Sequence, residues 1–133
     1  MHDHRRPRQS VNLTNLSYDK KMENRPLAEV KADLFKALGH PARVRILEVL
    51  IDGERTVSDL QPLVGIESSH LSQQLGVLRR AGLVTARREG SSVHYALRDP
   101  LVADLLAVAK QLLLRTLTET RDLIADLAAE VPG

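Results

Sequence analysis

Two short apolar periods on either side of a glycine turn constrain this chain more than any other feature. From Val57 to Leu63, the pair Leu60 and Leu63 predicts a short helix. Thr56 is placed as its N-cap, and Asp59 completes a capping box. Val64-Gly65-Ile66 reads as a tight turn whose glycine lets the next segment swing across the one before. A second helix opens at Glu67 or Ser68, repeats Leu71, Leu75 and Leu78 on one face, and stops at Gly82.

The flanking segments supply the rest of a domain. Leu27, Val30, Leu34, Phe35 and Leu38 fall at helical spacing after Pro26, and Gly39 ends that helix. Pro41 opens another, with Val44, Leu47, Leu50 and Ile51 as its expected buried face and Asp52-Gly53 as its stop. Leu83 to Arg87 and Ser92 to Leu97 predict two strands, with Val93, Tyr95 and Leu97 inward and Arg88-Glu89-Gly90-Ser91 at the hairpin tip. A long helix is expected from Pro100 to Ala129, its apolar positions recurring at steps of three, four or seven. Residues 1–25 are polar without a sustained period and are expected to form a disordered arm, leaving 26–130 as the folded domain. The predicted fold is therefore mainly α with a small β-hairpin, ordered α1-α2-α3-α4-hairpin-α5, which is the winged helix-turn-helix plan.

Composition narrows the chemistry. Aromatic residues make up 2% of the 133 residues and tryptophan is absent, so the core must be built from Leu, Val, Ile and Ala. The same shortage excludes a stacking platform for single-stranded nucleic acid. Absence of cysteine removes disulfides, thiol nucleophiles and thiolate metal sites. No apolar stretch approaches the roughly 20 residues that span a bilayer. The basic start MHDHRRPRQS lacks a following apolar core, so no secretory signal is expected and a cytoplasmic location is. The formal net charge of +2 says little by itself. Its distribution says more: Arg43, Arg45, Arg79, Arg80, Arg87 and Arg88 cluster mid-chain, whereas acidic residues gather toward the C-terminal end.

FKALGHPARVRILEVL, VSDL and SSHLSQQLGVLRRAGLVTARREGSSVHYAL together resemble the ArsR family of bacterial metal- and stress-responsive repressors, over about residues 30–115. The resemblance implies a homodimer on an inverted-repeat operator in double-stranded DNA, released when an inducer binds. Family members pair mainly through their first and last helices, which puts Leu27, Val30, Leu34, Leu105, Leu112 and Leu117 at the expected dimer seam. The leucine stripe of the last helix points the same way, because it exceeds what a small helical core can cover.

Within this motif, Ser68, Ser69, His70, Ser72 and Gln73 begin the expected recognition helix. Short hydroxyl and amide side chains there approach base edges or phosphates at a helix N-terminus. Ser69, His70 and Gln73 are assigned to the groove, and Ser68 and Ser72 to phosphate. The bland alternative is a cap followed by a solvated polar face. The hairpin offers Arg87, Arg88, Ser91 and His94 for the minor groove or flanking phosphates, against the alternative that these charges merely protect a sheet edge. Arg79 and Arg80 suit a helix C-terminus. Arg43 and Arg45 divide between backbone contacts and intramolecular pairing.

Metal-sensing relatives carry cysteines in the third helix, where this chain has Thr56-Val57-Ser58-Asp59, or Asp and His on the last helix, where it has Asp99 and Asp104 but no histidine. No metal or cofactor is therefore expected, and the effector stays unassigned. His2, Asp3 and His4 form a weak alternative ligand set, while His40 is read as structural. An enzyme is disfavoured by the lack of a nucleophile-base pair or a glycine-rich phosphate loop. Two binding alternatives stand beside the repressor: a winged-helix protein-interaction module, and a coating protein that ignores sequence. The fold does not distinguish repressor from activator.

Overall fold

The computed structural model describes residues 25–130; the His2-Asp3-His4 run and most of the expected arm lie outside them. The chain divides into two compact units between Leu38 and Gly39. The first contains α1 (Leu27–Leu38). Arg25 donates to Asp33 at 2.7 Å and sits 3.8 Å from Glu29, bracing the start of α1. Its guanidinium is held above its ordinary pKa by the Asp33 hydrogen bond. Ala37 is the buried residue of α1, whereas Leu27 and Phe35 are exposed.

The second unit runs through α2 (Pro41–Leu50), β1 (Arg55–Thr56), α3 (Val57–Val64), α4 (Ser68–Arg80), β2 (Val84–Glu89), β3 (Ser92–Leu97) and α5 (Pro100–Ala129). Helix boundaries follow from caps. His40 Nδ1 accepts from the Ala42 amide at 3.1 Å, and Pro41 occupies the first turn of α2, where a missing N–H costs nothing. Thr56 and Asp59 form the capping box in both directions. Gly65, at φ +80°, closes α3 in the left-handed region that glycine reaches without strain. Gly82 does the same after α4: its amide bonds the Arg79 carbonyl while the Leu83 amide reaches Leu78, and the chain leaves directly into β2.

The core is aliphatic throughout. Ile46, Leu47 and Leu50 of α2, Leu60 of α3, Leu71, Leu75 and Leu78 of α4, Leu83, Val84 of β2 and Val102 of α5 are all buried. Three expectations shift. On α2, Ile46 is buried and Ile51 is exposed; Val44 is only half-buried. The helix thus carries its core contacts on Ile46, Leu47 and Leu50, and turns Val44 and Ile51 toward a groove shared with α5. Leu63 is 44% exposed, because an eight-residue helix delivers one strong side chain, Leu60, to the centre. Val93, Tyr95 and Leu97 do not alternate cleanly, since β3 is half-buried from Val93 through Leu97.

The expected hairpin is part of an antiparallel three-stranded sheet ordered β1-β3-β2. β1 is two residues long and pairs Arg55 with Tyr95 and Thr56 with His94, too brief to leave an alternating signature in sequence. β2 extends to Glu89, so the hairpin tip narrows to Gly90 and Ser91 instead of starting at Arg88. α5 begins with Asp99 accepting from the Leu101 amide at 2.8 Å, followed by Pro100. Its 30 residues span ~45 Å at 1.5 Å per residue. From Ala107 onward every described side chain on α5 is exposed.

Truncating Leu75 to Ala, at the buried centre of α4, is expected to cost about 2–5 kcal/mol through lost burial and a residual cavity. Denaturant unfolding checks this; a loss under ~1 kcal/mol would place Leu75 outside the core.

Candidate nucleic-acid interface

Helix α4 owes its orientation to what it buries. Leu71, Gln74, Leu75 and Leu78 face inward, and on the opposite side Ser68, Ser69, Ser72 and Gln73 are exposed together. Four of the five side chains expected on the recognition helix thus share one accessible surface at its N-terminal half. Ser68 Oγ donates to Gln61 Oε1 of α3 at 3.3 Å, and Ser69 Oγ to Glu67 at 3.5 Å. Both contacts are exposed and weak enough for a ligand to replace. Glu67 occupies the N-cap position without a side-chain cap bond, leaving the first amides of α4 uncapped by it.

The fifth residue, His70, is half-buried. Its ring meets His40 edge-on with centroids 6.2 Å apart, so the His40 that caps α2 also supports the first turn of α4.

Gln73 and Gln74 are adjacent in sequence but fall on different sides of the helix. Gln74 is 7% exposed and accepts from Arg43 Nη1 at 2.8 Å. The signal was available: Gln74 lies three residues after Leu71 and four before Leu78, on the buried stripe. Arg45 donates to the Leu63 carbonyl at 3.3 Å. The two arginines therefore bond α2 to α4 and to α3, which settles part of their expected split in favour of intramolecular contacts.

The wing divides its arginines. Arg87 Nη2 lies 2.6 Å from Glu54 Oε1, its Nε 3.4 Å from Glu54 Oε2, and its Nη1 3.2 Å from Glu89 Oε1. His94, opposite Arg87 in the ladder, sits 3.7 Å from Glu54 and 3.5 Å from Glu89. Arg88 makes no ion pair among the described residues and is exposed, as is Ser91. Two of the four wing residues expected on DNA, Arg87 and His94, thus join a surface cluster with Glu54 and Glu89, while Arg88 and Ser91 make no such pair. Glu54 was missed because it lies 33 residues from its partner in sequence.

The hydrogen bond and charge of Arg87 hold the Glu54 carboxyl below the ordinary carboxylate range, and Glu54 then Glu89 hold Arg87 above its own. Because the folded pKa of Glu54 is lowered, its contribution is present above the unfolded value and lost as pH falls through the folded one. The Glu54 carboxyl carbon followed by NMR titration is expected to move toward the ordinary range in Arg87→Gln; an unmoved midpoint would contradict the pairing.

Of the expected dimer seam, Leu112 and Leu117 are exposed on α5 and Leu105 is half-buried; on α1, Leu27 is exposed and Val30 and Leu34 are half-buried. Among the described residues, no group of three or more His, Asp or Glu side chains is placed to hold a metal ion. No described helix is long and apolar enough to cross a membrane.

Helices α3 and α4 about the Gly65 turn, followed by the β2–β3 wing, define a winged helix-turn-helix protein. The model of the arsR family of bacterial regulatory proteins matches residues 40–86. The HTH-type transcriptional regulator Rv0081 of Mycobacterium tuberculosis, itself uncharacterised, is 52% identical over 109 residues, covering 81% of this chain and 96% of the relative. The chain belongs to the ArsR family. The crystal structure of Rv0081 aligns with a TM-score of 0.69 at 53% identity, covering 73% of this chain and 98% of that one. A homodimeric winged helix-turn-helix DNA-binding domain from Mycobacterium bovis aligns at 0.65 with 33% identity over 70% of this chain and 86% of its own. The transcriptional repressor BigR of Xylella fastidiosa aligns at 0.60 with 37% identity, covering 71% and 94%.

Arg43→Ala is expected to cost about 1–3 kcal/mol, because it strips the donor from a buried amide oxygen. Urea unfolding measures it, and a neutral outcome would mean Gln74 finds another donor.

Proposed function

We propose that this chain is a cytoplasmic transcriptional repressor that binds an inverted-repeat operator as a homodimer and has no catalytic activity. The observation that carries this is the division of α4 into a buried aliphatic face and an exposed N-terminal surface of Ser68, Ser69, Ser72 and Gln73. A helix so anchored is rigid enough to enter a major groove, and Gln and Ser are suited to base edges and phosphates there. Gln73 reads bases, Ser69 supports it, and Ser68 and Ser72 hold phosphate. Arg88 and Ser91 at the wing contact the flanking backbone.

Pairing follows from α5. Leu112, Leu113, Leu114, Leu117, Leu123, Ile124 and Leu127 are 52–67% exposed on one helix, an apolar load that a lone chain does not leave in water. Between α2 and α5 an apolar groove is lined by Val44, Ile51, Leu106, Leu113 and Leu114 with Glu48 and Lys110. A second copy covering this surface yields a C2 dimer whose two α4 helices read half-sites about 34 Å apart, with Leu27, Val30 and Leu34 of α1 as further pairing residues.

Selection of genomic fragments by the purified protein tests the function. It should return a palindrome with half-sites spaced by one helical turn, and recovery of no sequence would favour a coating or protein-interaction role. Gln73→Ala should weaken binding to the recovered operator by about 1–3 kcal/mol, the worth of one base contact, and leave random DNA nearly unaffected. Equal losses on both would demote Gln73 to a positioning role. Leu112→Glu should move sedimentation to monomer and abolish operator binding; a stable mutant dimer would remove α5 from the seam.

A further inference from the structure

One of the two wing arginines is paired within the chain. Arg87 presents a guanidinium fork whose Nε and Nη2 edge faces Glu54 and whose Nη1 faces Glu89. The cluster therefore holds two carboxylates against one guanidinium, with His94 lying between the two acids. Glu89 rides on the same strand two residues along, so it travels with the hairpin. Glu54 does not: it belongs to the segment between α2 and β1, and its bond to Arg87 bridges 33 residues. Arginine forms such two-point contacts with phosphate as readily as with carboxylate, so a DNA backbone and Glu54 compete for the same edge.

We propose that Glu54 and Glu89 limit the affinity of this protein for duplex DNA by occupying Arg87, which thereby ties the wing to the α2–β1 segment instead of gripping phosphate. The proposal rests on the DNA-binding reading above and adds to it an affinity-limiting pair of acids and a cation withdrawn from the interface. Its physical consequence is that sequence-independent attraction, which depends on the number of phosphates neutralised, is kept low. Arg88, exposed on the neighbouring position of β2, is left as the wing's backbone contact.

The test is a mutant cycle on the full chain, with a random duplex and the selected operator as probes, each titrated across salt. Glu54→Gln/Glu89→Gln is expected to tighten the random duplex roughly 3- to 10-fold at about 0.1 M salt and to steepen the salt slope by about one per wing. Arg87→Gln alone should change affinity less than about twofold, and adding it to the double variant should erase both gains. A severalfold loss from Arg87→Gln alone would overturn the proposal, since Arg87 would already be on DNA. So would a gain that survives removal of Arg87, which would reflect general charge and not release of this side chain. Unchanged binding by a folded double variant, with the wild type still bound to operator, overturns the proposal alone. A wild type that binds neither probe overturns the DNA-binding reading and this inference with it.

Discussion

Burial of one face of α4 against α2 and α3 is the interaction on which everything else depends. Leu71, Leu75 and Leu78 are fully enclosed together with Ile46, Leu47 and Leu60, and among the described residues no aromatic side chain is buried with them. Leucine and isoleucine pack as discrete shapes, so the helix has little freedom to rotate or slide. Arg43 adds direction to this packing. Its bond to Gln74 costs nothing in desolvation that is not repaid, and it fixes which side of α4 remains outside. The exposed Ser and Gln surface is thus a consequence of the core.

The same economy governs charge. Mid-chain arginines would make this region strongly cationic if all were free, yet Arg43, Arg45 and Arg87 each bond within the chain. Arg43 and Arg45 join α2 to the helices it supports, and Arg87 joins the wing to the segment before β1. Arg79, Arg80 and Arg88 remain exposed. Intramolecular pairing of this kind lowers the number of cations left open to other partners.

Much of this was legible in the sequence because it rests on short-range physics. The helices about Gly65, the Thr56–Asp59 capping box and the Leu71-Leu75-Leu78 stripe are local patterns, and the structure has each of them. What escaped was long-range or too small to leave a period. β1 contains two residues, and the Glu54–Arg87 pair joins segments far apart in the chain. Gln74 lies on the buried stripe by its spacing, and the long-range bond from Arg43 that satisfies its amide there leaves no sequence signal. Ile46 displaced Val44 and Ile51 from the core because α2 has a second apolar side, toward α5, that a single amphipathic stripe does not describe.

The proposed DNA-contacting part of the chain is the N-terminal surface of α4, held from behind by the aliphatic core. Amide NMR of the labelled protein during titration with operator duplex tests it directly. The largest perturbations are expected from Ser68 to Gln73, with smaller ones at Arg88 and Ser91 and little change along Leu112–Leu127. Perturbations concentrated on α5, with Ser68 to Gln73 unmoved, would contradict it.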